Sequence, residues 1–81
     1  MKLPRDFSGA QLIKALEQLG YQPARQTGSH VRLTSLLGDQ HYLTIPLHDP
    51  LRIGTLAAIL ADVASHHGMT RETLIAKLFG K

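Results

Sequence analysis

The residues best suited to chemistry are Gly28-Ser29-His30, which open an alternating run. Gly28 allows the backbone to turn tightly, and His30 is the first side chain to point from the strand that follows. Val31 and Leu33 alternate with His30 and Arg32, so His30 and Arg32 share the face opposite the two aliphatic residues. Arg25, on the neighbouring strand, adds a second guanidinium. An imidazole exchanges protons near neutral pH, and arginines hold phosphate oxygens through forked donors. Such a set suffices for RNA cleavage. The ribose 2′-OH attacks its own phosphate once deprotonated, and the 5′-oxygen leaves when protonated. One positioned histidine acting as base or acid contributes about 10²–10⁴-fold, and nearby cations stabilise the phosphorane. The same pattern also fits a surface strand residue whose ring bonds a loop carbonyl, and the residues alone leave both readings open.

Two further segments carry candidate groups. In Pro46-Leu47-His48-Asp49-Pro50, His48 could face a ligand from a rigid loop. Asp49 could orient an imidazole or make an Asx turn before Pro50. In Arg52-Ile53-Gly54-Thr55 the free N–H groups of a helix start could bind an anion with help from Arg52 and the Thr55 hydroxyl. Equally, Gly54 or Thr55 could be only an N-cap. His66 and His67, as helical neighbours, diverge by about 100° and suit a cation at the helix C-terminus better than a shared metal. His41 reads as structural. With five histidines, no cysteine and no clustered carboxylates, neither a metal nor another cofactor is expected, and no Asp-x-Asp pair suits a two-metal nuclease.

The elements that must position these groups are legible. Ser8 with Gln11 three residues on is a capping box, and Phe7 with Leu12 a hydrophobic staple, so a helix is predicted over Gly9 to Leu19 with Gly20 ending it. Strands are predicted at Tyr21 to Gln26, with Pro23 restricting it to an edge, at His30 to Thr34, and at Tyr42 to Ile45. Gly38-Asp39 suits the hairpin between the last two. A second helix runs from about Thr55 to His66, with Gly68 ending it, and Thr70 opens a third. The fold class is α+β: a three-stranded antiparallel sheet with helices on one face, in α-β-β-β-α order, plus a short C-terminal helix. That is the arrangement of double-stranded-RNA-binding domains.

The 81 residues make one domain, 1–81, with one core. Nine basic against six acidic residues give a formal charge of +3, which permits phosphate binding without demanding it. No apolar stretch approaches the ~20 residues needed to span a bilayer, and no secretory signal is evident, so no membrane association and a cytoplasmic location are expected. A chain this small leaves no deep pocket for a small-molecule enzyme.

In this order, Arg25-Gln26-Thr27-Gly28-Ser29-His30, Thr44-Ile45-Pro46-Leu47-His48 and Leu51-Arg52-Ile53-Gly54-Thr55-Leu56 closely resemble the HicA (YcfA-like) proteins. The likeness runs from about Ser8 to Leu78. It implies a double-stranded-RNA-binding-like fold and an mRNA-cleaving toxin whose active site is masked by a cognate HicB antitoxin. It matches the family's catalytic histidine to His30. The RNA contacts expected at Arg25, Gly28, Ser29, Arg32, His48, Arg52 and Thr55 come instead from charge and geometry. The rival functions are an RNA-binding module that cleaves nothing and a family member that only binds a partner.

Overall fold

The computed structural model describes residues 6–35 and 40–80. Helix α1 (Gly9–Leu16) starts at the expected capping box. The Ser8 hydroxyl accepts the Gln11 N–H at 3.1 Å, and the Gln11 side chain accepts the Ser8 N–H at 2.9 Å. The predicted last turn, Glu17–Leu19, is 3₁₀ rather than α. Gly20 then leaves the helix at φ +81, in the left-handed conformation that glycine adopts without strain.

Strands β1 (Tyr21–Thr27), β2 (His30–Ser35) and β3 (His41–Pro46) form an antiparallel sheet in the order β1-β2-β3. Thr27 pairs with His30 across the two-residue turn Gly28-Ser29. Gly28 has φ +59 while Ser29 does not have positive φ, which is the II′ pattern that suits strand twist. The hairpin residues Gly38 and Asp39 lie outside the described residues.

Burial along β2 and β3 follows the period of two. Val31, Leu33, Leu43 and Ile45 are buried, while His30, Arg32, Tyr42 and Thr44 are exposed. The buried set packs against Leu12 and Leu16 of α1 and against helix α2 (Ile53–His66), through Leu56, Ile59, Leu60 and Val63. Each fully buried aliphatic side chain contributes about 1.5–3 kcal/mol of transfer free energy. Helix α3 (Arg71–Phe79), capped by the Thr70 hydroxyl, adds Leu74, Ile75 and Leu78 to the same core. Phe79 meets Phe7 edge-on, with ring centroids 4.9 Å apart. The helices therefore cover one sheet face and leave the other to solvent. No helix among the described residues is long and apolar enough to cross a membrane.

Around the site the backbone is tied tightly. The Leu47 N–H donates to the Ser29 carbonyl at 2.6 Å, the Gly9 N–H to the His48 carbonyl at 2.9 Å, and the Leu51 N–H to the Phe7 carbonyl at 2.8 Å. A Cβ at residue 9 would collide with the Pro46 carbonyl oxygen, so Gly9 is what lets α1 lie against the end of β3.

Candidate active site

The open sheet face is a grid of three rows fixed by strand register. Thr27, His30 and Pro46 stand side by side, then Arg25, Arg32 and Thr44, then Gln22, Thr34 and Tyr42. No carboxylate occupies any of these positions.

Arg25 reaches this face through a bulge. Tyr21 pairs with Ser35 and Pro23 with Leu33, both on the core side, and simple alternation would put Arg25 on that side too. The register shifts between Pro23 and Arg25, leaving Ala24 unpaired and setting Arg25 opposite Arg32. One extra residue in an edge strand thus reverses the parity of everything after it. Like charges directly opposite each other weaken a sheet, so this pair is better suited to holding an anion than to stabilising the strands.

Arg25, Thr27, His30, Arg32 and Thr44 line one depression of about 240 Å³ on this face. The His30 ring is exposed and has no hydrogen-bond or ionic partner among the described residues, so it does not bond a loop carbonyl. The arrangement offers an unengaged imidazole, two guanidinium groups and two hydroxyls to a single anionic group.

The other expected residues are placed differently. Gly28 and Ser29 form the turn that leads into His30, and the Ser29 carbonyl anchors Leu47. His48, Arg52 and Thr55 do not line the depression. The His48 side chain is exposed, while its carbonyl holds the start of α1. Among the described residues Asp49 pairs with no imidazole and closes no Asx turn, the Leu51 N–H going instead to the Phe7 carbonyl. The α2 start needs a correction: the N-cap is Arg52, not Gly54 or Thr55. It makes no side-chain cap, which leaves Thr55 inside the first turn. A Cβ at Gly54 would meet open space, so nothing crowds that helix end.

A second cluster was not foreseen. The Tyr21 hydroxyl, on a fully buried residue, stands 2.6 Å from His41 Nδ1 and 3.1 Å from His67 Nε2. A hydroxyl has one proton, so both contacts are satisfied when Tyr21 donates to His41 and accepts from His67. His41 then carries its proton on Nε2, 3.4 Å from the Asp62 carboxylate. His66 stacks on His41 with centroids 4.1 Å apart. Burial, and then Asp62, push the Tyr21 phenol up to about 12. Burial first, then His66 and His41, lower the His67 pKa. These surroundings work against His67 as a helix-end cation. Among the described residues no group of three or more His, Cys, Asp or Glu is placed to hold a metal ion.

Thr27 and Thr44 are the site residues that sequence reasoning missed. Their signal was available for Thr27, since a two-residue Gly28-Ser29 turn sets it opposite His30. Thr44 keeps the parity of Tyr42.

No curated protein and no solved structure matches the chain. The sequence model of the family described as the HicA toxin of bacterial toxin-antitoxin matches residues 9–64, from the start of α1 through most of α2. That span contains the whole sheet and the whole depression around His30. On that match, which covers more than half its length, the chain belongs to the HicA toxin family of bacterial toxin–antitoxin systems.

Proposed function

We propose that the protein is a metal-independent endoribonuclease, an mRNA interferase, with His30 as its catalytic residue. The observation that carries this reading is the His30 ring, without a partner among the described residues, beside Arg25 and Arg32, two like charges facing each other among paired sheet positions that hold no carboxylate. A phosphodiester set between the arginines has its negative charge matched on both sides. His30, acting as the base, takes the 2′-OH proton as the 2′-oxygen bonds to phosphorus. The P–O5′ bond breaks, and the 5′-oxygen leaves with a proton drawn from solvent at this open face. The products are a 2′,3′-cyclic phosphate and a 5′-OH end, and the imidazolium returns its proton to water. The arginines supply the charge stabilisation that a metal ion would otherwise bring.

As a member of a toxin–antitoxin family the protein has an antitoxin as its partner. We take that partner to be HicB-like and to cover the His30 face, with action in the cytoplasm where mRNA is exposed.

The test is cleavage of a long RNA by purified protein with EDTA present. Wild type cuts, and His30→Ala slows cutting by about 10²–10⁴-fold without lowering the melting temperature. Undiminished cutting by a folded His30→Ala protein overturns the assignment. RNA affinity that falls steeply with salt, in the absence of any cutting, identifies a binding module instead.

A further inference from the structure

We infer that Tyr42 is a base-stacking residue, which makes the substrate of the His30 site a single strand with at least one unstacked nucleobase. This inference rests on the ribonuclease reading of His30.

Tyr42 lies on the same open face as the arginines and His30, and it is half exposed, at 50%. A large aromatic surface left in water on a sheet face is unexplained by folding, since the core of this chain is complete on the other side. It is not isolated. The Arg32 guanidinium carbon lies 5.4 Å from the Tyr42 ring centroid, so one arginine links the anion site to the aromatic. Alternate residues along a strand are about 6.7 Å apart, so the Tyr42 row lies about 13 Å from the His30 row, with the arginine row between. A chain whose scissile phosphate lies between Arg25 and Arg32, with its 2′-OH toward His30, carries a neighbouring base toward Tyr42 on the next row.

Chemistry and shape favour RNA over a protein on this patch. Two arginines and several hydroxyls without a carboxylate match a polyanion. Protein interfaces of that charge need an acidic partner but not a planar one, whereas Arg and Tyr together offer the π-surfaces on which single-stranded bases stack. A duplex keeps its bases paired inside and has none to offer to Tyr42. The open sheet face therefore selects for strands that are already unpaired.

The experiment measures affinity rather than cutting, so it stands apart from the test of His30. The probe is a fluorescein-labelled hexaribonucleotide, 2′-O-methylated throughout so that it cannot be cleaved, with matched versions in which each position in turn is abasic. Fluorescence anisotropy gives Kd for wild type, Tyr42→Ala, Tyr42→Phe and Tyr42→Thr, the last keeping a strand-favouring residue if alanine disturbs the sheet. Tyr42→Ala and Tyr42→Thr should weaken binding of the intact probe roughly 5- to 150-fold, and Tyr42→Phe should keep wild-type affinity. One abasic position should weaken wild type by a similar factor and leave the alanine variant unmoved. The same sequence as a duplex should bind wild type and Tyr42→Ala equally. Intact-probe affinity that survives both Tyr42→Ala and Tyr42→Thr overturns the inference and leaves Tyr42 to a protein partner. Losses equal for intact and every abasic probe also overturn it, since Tyr42 would then only position Arg32. Failure of wild type to bind the probe overturns it as well, while cleavage lost in His30→Ala would still uphold the catalytic histidine.

Discussion

The molecule holds histidines in two opposite settings. At the open face, His30 stands in solvent with no partner among the described residues and with cations beside it. At the other end of the strands, His41 and His67 are bound to the buried Tyr21 hydroxyl, and His41 reaches Asp62 as well. An imidazole whose nitrogens are already engaged has no lone pair or proton to lend a substrate. One with both nitrogens open has little to contribute to folding. The difference teaches that partner count, more than residue type, separates a histidine open to a ligand from one that holds the structure together.

The contrast breaks most visibly at its two poles. His30→Ala should remove 10²–10⁴-fold of RNA cleavage with an unchanged melting temperature. Any marked loss of stability in that variant would mean that the ring is structural after all. Gly9→Ala should come next, because its methyl must displace the Pro46 carbonyl at the row that carries His30. A loss of about 1–3 kcal/mol in denaturant unfolding is expected for such overpacking against backbone, with cleavage falling alongside. Gly54→Ala, in open space, should cost nothing and serves as the control.

Tyr21→Phe sharpens the opposite pole. It strands His41 Nδ1 and His67 Nε2 and should cost about 1–3 kcal/mol, measured by chemical denaturation, while cleavage per folded molecule stays at the wild-type rate. The acid response is smaller. His67 has a folded pKa below its ordinary 6.5, so the stability it contributes is complete above that value and is lost as pH falls through the folded pKa. Its ring faces Tyr21, His41 and His66, with Asp62 beyond His41. Melting temperature should decline on acidification below neutrality, and His67→Gln should flatten that decline. On the alkaline side Tyr21 contributes stability below 10 that is lost as pH rises through about 12. Smallest of all is the effect expected at Arg52, which lies outside the depression. Arg32→Ala should reduce the slope of RNA affinity against salt by about one, and Arg52→Ala by less.

Much of this was readable in the chain because it is local. A capping box spans three residues, and the alternation of Val31 and Leu33 with His30 and Arg32 is complete within one strand, so α1 and the facing of β2 follow from neighbours alone. The pairing of His30 with cations was readable for the same reason. Arg25 is different, because plain alternation from Tyr21 would turn it to the core side. The bulge at Ala24 sets it opposite Arg32, and no propensity announces a bulge. The Tyr21 cluster was invisible because it joins residues 21, 41, 62, 66 and 67, which only the packed core brings together. At α2 the sequence offered capping residues at positions 54 and 55, yet the helix begins at Ile53 with an uncapped start. Burial of Leu51 and Leu56 on either side fixes that entry more strongly than a cap would.

The strict alternation of β2 has one more consequence. Sliding this strand by a single residue would turn His30 and Arg32 into the apolar layer and send Val31 and Leu33 into water. A sheet slipped by one residue therefore cannot keep His30 on the open face and a dry interior together. The aliphatic side chains act as a proofreader for the face they never touch, rejecting the one-residue slip that would turn the histidine inward.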